Sequence, residues 1–186
     1  MTTRFSIFET ALGTAGIAWN AEGISGVQLP EPEAAQVRAR LRRRFPSALE
    51  VHEAPPADIE QAIEAIRAHL RGEPSDLSTI RLDMRHVPDF ARRVYEVARD
   101  VAPGETTSYG ELATRLGGIH LARDVGQALA RNPFPIVVPC HRVLGAHGKL
   151  GGFSARGGVA TKQRLLAIER ANGTWQLPLA PAPGTD

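Results

Sequence analysis

The 186-residue chain is long enough for one large domain or two small ones, and a hydrophobic fraction of 42% can form a packed core. These features exclude three classes of protein: membrane-spanning proteins, proteins with a secretory signal peptide, and proteins stabilised by internal disulfides. No apolar stretch reaches the roughly 18 residues of a membrane span, the amino terminus lacks a signal-peptide pattern, and a single cysteine cannot form an internal disulfide. We therefore expect a globular, cytoplasmic protein without a membrane partner.

Positive charge is concentrated in the carboxy-terminal half. Residues 115–170 contain nine basic and two acidic side chains, whereas residues 1–82 contain nine basic and eleven acidic ones. This excess favours a polyanionic partner such as nucleic acid, although an arginine-rich solvated surface would give the same count. The six histidines and the cysteine lack the short spacing of a zinc site, so we predict no metal and no cofactor.

The first half of the chain predicts a small sheet and two helices. Apolar and small residues alternate between glycine turns from Arg4 to Pro30, as in short antiparallel strands. Helices are predicted over 33–44 and 57–71, each with apolar side chains at helical spacing. We place a boundary near residues 82–88, so that residues 1–85 form an α/β support domain.

The second half predicts a mainly helical domain over residues 86–171. Its first helix should run from Asp89, as N-cap, to Val101, with an apolar face formed by Phe90, Val94, Val97 and Val101. Residues 159–170 predict a closing helix. The residues after it, 172–186, are rich in proline and alanine and are expected to form a flexible tail.

Two further helices are predicted between the first helix of this half and the closing helix. Ser108 and Glu111 have the spacing of a capping box, and the helix that they begin should end at the glycine pair 117–118. A longer helix is predicted over 121–131, before Asn132-Pro133. Two helices joined by a short glycine turn suggest a helix-turn-helix, which is a weak signal because such pairs are common in helical proteins.

The single cysteine, Cys140, follows the segment PIVVP at 135–139, which has the pattern of a short buried strand. A lone cysteine is usually an inert small hydrophobe. Here His141 and Arg142 come next, and nearby cationic or basic groups favour the nucleophilic thiolate. Glu169 could orient the histidine, as the third member of such a group usually does. These residues predict a reactive thiol.

Several segments together resemble one protein family. NPFPIVVPCHRV closely resembles the active-site signature of methylated-DNA–protein-cysteine methyltransferases, also called O6-alkylguanine-DNA alkyltransferases. TTSYGELA followed by ARDVGQALARNP resembles the helix-turn-helix of that family, and KQRLLAIE its closing helix. The resemblance covers about residues 88–169. It implies an α+β fold in which a small antiparallel sheet domain precedes a helical domain with a winged helix-turn-helix.

The resemblance implies roles for five residues of a reaction centre. Cys140 resembles the acceptor that takes the alkyl group irreversibly from O6-alkylguanine, and in some cases from O4-alkylthymine. His141 resembles the base that takes the thiol proton through a water, and Glu169 the carboxylate behind it. Asn132 resembles the asparagine that braces this network. Tyr109 resembles the tyrosine that contacts the flipped nucleotide and can donate a proton to the leaving guanine.

The resemblance also implies a DNA-binding surface for double-stranded alkylated DNA, approached from the minor groove with the target guanine flipped out. Arg123 matches the arginine that fills the gap left by the base, and Val143 the residue whose carbonyl accepts from the guanine amino group. Phe153 and Ser154 resemble the loop that closes over the base. Further residues expected beside the DNA are Gly126, Ala130 and Arg131. The resemblance is to a bacterial-type, monomeric member of the family, and no obligate protein partner is implied.

Departures from the family pattern leave two alternatives open. Relatives commonly carry a hydroxylated aromatic at the position of Phe153, and Ala155 and Arg156 are apparent extra residues in the loop, so the range of alkyl groups is undetermined. An alkyltransferase-like protein would sense the lesion without transfer, but such proteins replace the acceptor cysteine. A cysteine hydrolase would need an oxyanion hole that nothing in the sequence indicates.

Overall fold

The computed structural model describes residues 2–170, which fold into a mixed α+β structure. A four-stranded sheet, in the order β3-β2-β1-β4, occupies the amino-terminal half, and a two-stranded parallel sheet, β5-β6, lies in the carboxy-terminal half. The strands are β1 Arg4–Thr10, β2 Gly13–Asn20, β3 Gly23–Glu31, β4 Leu49–Glu50, β5 Thr107–Ser108 and β6 Val143–Leu144. The antiparallel strands predicted before residue 30 are confirmed.

Six α-helices accompany the sheets in the described part of the chain: α1 Ala34–Arg44, α2 Ala57–Leu70, α3 Asp89–Arg99, α4 Tyr109–Arg115, α5 Ala122–Ala130 and α6 Val159–Arg170. Each predicted helix is present within two residues of its expected ends. The capping box is also confirmed, because the Ser108 hydroxyl accepts from the Glu111 backbone N–H at 3.1 Å while the Glu111 carboxylate accepts from the Ser108 N–H at 2.6 Å. This cap sets the direction of α4 and so the position of Tyr109.

The predicted face of α3 is wrong in detail. Its buried residues are Ala91, Val94, Tyr95 and Ala98, whereas Phe90 and Val97 are only partly buried. The N-cap is Pro88 rather than Asp89, and no side chain caps the helix. Relative to the predicted face, the helix is rotated because the Tyr95 ring packs inward, edge-on to the Phe134 ring. The Tyr95 hydroxyl donates to the Ala128 carbonyl at 3.0 Å.

Residues 135–139 do not form the predicted strand. The segment is a compact turn in which the Val138 N–H donates to the Phe134 carbonyl at 2.7 Å and Ile136 adopts a φ of 75°. Its apolar side chains are nevertheless buried, since the turn lies in the core rather than at a sheet edge. An apolar run this short indicates burial but does not distinguish a strand from a buried turn.

One hydrophobic core joins both halves of the chain. Buried residues of the main sheet, of α2 and of every helix from α3 to α6 belong to the same packed cluster. The Val27 N–H of β3 also donates to the Pro133 carbonyl at 2.9 Å. The division into domains of residues 1–85 and 86–171 stays a prediction, and the predicted tail at 172–186 lies outside the described residues. Among residues 2–170, no helix has the length and apolar character of a membrane span.

Candidate active site

Cys140 begins a short 3-10 turn, Cys140–Arg142, that leads directly into β6. Its side chain is 9% exposed and lies in the wall of a cavity of about 410 Å³. The Cys140 backbone N–H donates to the Val138 carbonyl at 2.8 Å, so the preceding turn holds the cysteine in place. A buried thiol at the wall of an open cavity can be reached only by a group that enters the cavity.

Asn132 braces both the turn and the thiol. Its Nδ2 donates to the Val138 carbonyl at 2.9 Å and to Cys140 Sγ at 3.3 Å, while its Oδ1 accepts from the Phe134 N–H at 2.8 Å. All three groups of the amide that can form hydrogen bonds are oriented by the turn, which makes the contact with sulfur specific. The structure therefore places Asn132 in direct contact with the predicted nucleophile.

A buried polar cluster lies behind the cysteine, and Glu169 is its centre. Glu169 Oε1 lies 2.7 Å from His141 Nε2 and 3.0 Å from His69 Nε2, and the Arg142 guanidinium donates to both carboxylate oxygens at 2.8–3.1 Å. All four residues are at most 5% exposed. We call these four residues, His69, His141, Arg142 and Glu169, the carboxylate hub. The pKa of Glu169 is held far below its usual value because these donors outweigh its burial, which acts in the opposite direction.

The hub determines the state of His141. Burial lowers the pKa of His141 more than Glu169 raises it, so the imidazole is neutral at physiological pH. An ionised carboxylate can only accept, so His141 Nε2 carries the proton and its Nδ1 has a free lone pair. A neutral imidazole with an available Nδ1, on the residue that follows the cysteine, has the properties of a general base.

The hub brings together two histidines that are far apart in the sequence. His69, His141 and Glu169 bring three potential ligand atoms within 4.8 Å of one another. However, the Arg142 guanidinium already occupies both oxygens of the carboxylate, and its positive charge disfavours a cation in the same buried space. These residues fit a hydrogen-bonded network better than a metal centre.

The predicted direction of the cysteine pKa is wrong. Burial raises the pKa of Cys140 more than its neighbours lower it, so the resting group is a protonated thiol. The opposing influences come from the Asn132 amide, the positive charge of Lys162, and the backbone N–H groups of Cys140 and His141. The buried thiol therefore stays protonated in the resting protein, and a base must remove its proton before it can react.

Lys162 of α6 is a site residue that the sequence interpretation missed. It is fully buried, its Nζ donates to the Val143 carbonyl at 2.6 Å, and it lies 5.9 Å from the centre of the Tyr109 ring. Burial lowers the pKa of Lys162, and the nearby thiol acts in the opposite direction. A signal was available, since Lys162 shares a helical face with Leu165, Leu166 and Glu169, all buried.

The cavity in front of Cys140 is formed by α4, α5 and the loop after β6. Tyr109, Phe153 and Ser154 line it together with Gly126 and Ala130. Burial raises the pKa of Tyr109, so its hydroxyl keeps its proton and can donate. An added Cβ at Gly126 would meet the Tyr109 ring at 3.8 Å, which is ordinary contact, so this glycine is not required by space alone.

The remaining predicted DNA contacts lie outside this cavity. Arg123 is exposed in the first turn of α5, and Arg131 is exposed at its carboxyl end. The Val143 carbonyl already accepts from Lys162, which leaves one lone pair for another donor. The structure thus brings most predicted catalytic residues together around Cys140 and leaves the two arginines on the surface nearby.

Arg156, one of the two apparent extra residues of the loop, makes a specific contact. Arg156 NH1 lies 2.9 Å from Glu31 Oε2, and it also donates to the Gln36 side chain. Glu31 is buried at the end of β3 and pairs with Arg40 as well, at 2.7 Å. The loop is therefore attached to the amino-terminal half, beside a second cavity of about 140 Å³ that also reaches Cys140.

Comparisons with known proteins agree with this geometry. The family model described as 6-O-methylguanine DNA methyltransferase, DNA binding domain, matches residues 89–171. A methylated-DNA–protein-cysteine methyltransferase of Mycolicibacterium paratuberculosis is 46% identical over 118 residues, which are 63% of this chain and 69% of the relative. The corresponding protein of Methanothermobacter thermautotrophicus is 34% identical over 154 residues, 83% of this chain and 78% of the relative.

Solved structures resemble the whole described fold. The crystal structure of the Mycobacterium tuberculosis O6-methylguanine methyltransferase has a TM-score of 0.72 at 30% identity, covering 98% of this chain and 97% of its own. The Mycobacterium tuberculosis OGT in complex with DNA also has a TM-score of 0.72 at 30% identity, covering 91% and 94% of the two chains. The chain therefore belongs to the family of methylated-DNA–protein-cysteine methyltransferases.

Proposed function

We propose that this protein repairs DNA by direct reversal, transferring the alkyl group of O6-alkylguanine irreversibly to Sγ of Cys140. The observation that carries the proposal is the arrangement around the thiol. A buried, protonated cysteine lies at the wall of a cavity of about 410 Å³, in contact with Asn132, and the next residue is a neutral His141 held by Glu169. Membership of the family supports the same chemistry.

Activation of the thiol is the first step of the proposal. The thiol proton passes through a bridging water to Nδ1 of His141, and the ionised Glu169 stabilises the imidazolium that forms. The thiolate is stabilised by the Asn132 amide, by the positive charge of Lys162 and by two backbone N–H groups. The thiol thus loses its proton only when it reacts. The resting protein therefore does not expose a thiolate to unrelated electrophiles.

Transfer itself is an in-line displacement at the alkyl carbon. A bond forms between Sγ and the carbon, the bond from the carbon to O6 breaks, and its electron pair returns to the guanine. The guanine anion then takes a proton from the Tyr109 hydroxyl, which is replaced from solvent, while His141 returns the thiol proton to solvent. The product is a stable thioether, so each protein molecule acts once.

The proposed substrate is a guanine flipped out of duplex DNA from the minor groove. The position of the thiol supports flipping, because a stacked base could not bring its O6 substituent to a sulfur that is 9% exposed at a cavity wall. Arg123, exposed at the start of α5, would fill the space left in the stack, and Arg131 would contact phosphate. The Val143 carbonyl would accept from the guanine amino group.

The test is a single-turnover reaction with a duplex that carries one O6-methylguanine, followed by intact-protein and peptide mass spectrometry. The expected result is the mass of one methyl group on Cys140, saturating at one per molecule and absent in Cys140→Ala. Tight lesion binding without a mass change would instead indicate a lesion sensor. A modified cysteine that returns to its original mass would indicate a hydrolase.

A further inference from the structure

His69 is a buried histidine that the proposed mechanism does not use. It lies in the last turn of α2, in the amino-terminal half, and is 4% exposed. Its Nε2 is 3.0 Å from Glu169 Oε1, the same oxygen that contacts His141 Nε2 at 2.7 Å. Two imidazoles from different halves of the chain therefore share one carboxylate oxygen.

Hydrogen bonds hold both ring nitrogens of His69. Because Glu169 is ionised and can only accept, His69 Nε2 must carry a proton. Its Nδ1 lies 3.3 Å from the Ser75 hydroxyl, which can donate or accept there. His69 is thus held at both nitrogens, and its ring cannot turn without breaking two contacts.

We propose that His69 is a positioning residue of the reaction centre, acting through Glu169 to keep His141 neutral until the thiol gives up its proton. This inference rests on the proposed function. Each donor to Glu169 Oε1 reduces the negative charge that the oxygen can offer to another donor. With His69 in place, Glu169 orients His141 but stabilises its imidazolium only moderately. The imidazole therefore stays unprotonated near neutral pH and can act as the base.

Other charged groups around the two imidazoles set the background for this effect. Arg142, on the turn, disfavours a positive charge on His141, and so does a positive charge on His69. Glu169 of α6 favours it, and the thiol of Cys140 lies on the adjacent residue. Arg99 of α3 lines the cleft behind Arg142. These groups remain in place when His69 alone is replaced, so a change in the titration of His141 can be assigned to that replacement.

The experiment compares two variants of the full chain. His69→Leu keeps the bulk and removes the donor, whereas His69→Gln keeps a donor of similar reach that cannot titrate. Ile66→Ala is the matched control, since Ile66 is fully buried on the same helix and belongs to the hydrophobic core rather than the hub. Methyl-transfer rates are measured in single turnover from about pH 5.5 to about pH 8.5. Long-range proton–nitrogen NMR reports the tautomer and titration of each histidine without requiring transfer.

In His69→Leu the acid limb of the rate profile should move to higher pH by about half a unit, so that the rate falls by up to about threefold at pH values below the pKa of His141. NMR should show the same displacement for the His141 titration. His69→Gln should recover most of the loss, and Ile66→Ala should lower thermal stability without moving the profile. A uniform loss at all pH values in His69→Leu, or the same displacement in Ile66→Ala, would reduce His69 to a structural residue.

The two readouts separate this inference from the proposed function. If the unmodified protein transfers no methyl group at any pH, the proposed function fails. In that case NMR still decides the role of His69. An unchanged His141 titration in His69→Leu would overturn the inference, and a displaced one restored by His69→Gln would retain the coupling through Glu169.

Discussion

The two sides of Cys140 are built differently. Behind the sulfur, the carboxylate hub is almost completely buried, and Glu169 accepts from three side chains at 2.7–3.1 Å. In front of it, the cavity is walled by Tyr109, Phe153 and Ser154, two of them on the loop after β6. The hub has fixed hydrogen bonds, whereas the cavity is open, and its loop is attached to the amino-terminal half by contacts of Arg156 with Glu31 and Gln36.

This difference assigns separate tasks to the two sides. A saturated, buried network has one arrangement and is suited to setting the protonation of His141. An open cavity with an attached loop can admit substituents of different size. Replacements in the hub should therefore change reactivity and stability together, whereas replacements in the loop should change substrate preference and leave stability almost intact.

The largest effect should come from Glu169→Gln, which removes the charge at the centre of the hub. Arg142 then remains buried without its ionic partner, so the free energy of unfolding should fall by about 3–5 kcal/mol. Methyl transfer should slow by at least about 100-fold, because the His141 imidazolium loses its stabilising carboxylate. Urea unfolding and single-turnover kinetics measure the two losses. Glu73→Gln, at the exposed pair with Arg71, is the control and should change neither.

Acidification sharpens this prediction. The folded-state pKa of Glu169 is depressed, so the unfolded chain binds the proton first as the pH falls. The stability contributed by Glu169 is therefore complete above about pH 5 and is lost progressively below about pH 4.3, the ordinary pKa of the side chain. The difference in unfolding free energy between the unmodified protein and Glu169→Gln should shrink over that acidic range. A difference that does not vary with pH would contradict the depressed pKa.

Asn132 lies between the two sides and should produce the next largest effect. In Asn132→Ala the thiolate loses the amide donor at 3.3 Å, so the pKa of Cys140 should rise and transfer should slow by about 10–100-fold. Asn132→Asp keeps the acceptor for the Phe134 N–H and places a negative charge near sulfur, so it should raise the thiol pKa further. The rate of alkylation by iodoacetamide against pH measures this order. Equal thiol pKa values in all three proteins would refute the contact.

Lys162→Met tests the positive charge near the thiol. Its loss should raise the pKa of Cys140 and slow transfer by about tenfold near pH 7, with a smaller difference at higher pH as the thiol ionises without help. The same replacement at the exposed Lys149 is the matched control and should leave the pH profile unchanged. A tenfold loss that persists at high pH would point instead to the unpaired Val143 carbonyl.

The smallest effect should come from the loop. Arg156→Gln removes the ion pair with Glu31, and because the arginine is exposed the stability should hardly change. Without this contact the loop should move more easily to admit a large alkyl group. The ratio of O6-benzyl to O6-methyl transfer rates should therefore rise, by less than about fivefold. Arg42→Gln, which removes an exposed pair with Glu50, is the control. An unchanged ratio would mean that the contact does not limit the cavity.

Most of the helices could be predicted because local signals determine them. The capping box at Ser108, the apolar spacing in α2, and the glycines after α4 each act within a few residues. The rotation of α3 and the turn at 135–139 could not be predicted, because both depend on packing against distant residues such as Phe134. A short apolar segment shows that it is buried, but its partners decide its shape.

The sequence by itself determined the nucleophile, its neighbouring histidine, and the family to which they point, since these lie in one continuous motif around Cys140. Only the tertiary structure decided the electrostatic state of the site. Burial makes the thiol protonated and His141 neutral, and the fold brings His69, 100 residues away in sequence, onto Glu169. Desolvation and hydrogen bonding depend on everything that surrounds a group, and no local pattern of residues records those surroundings.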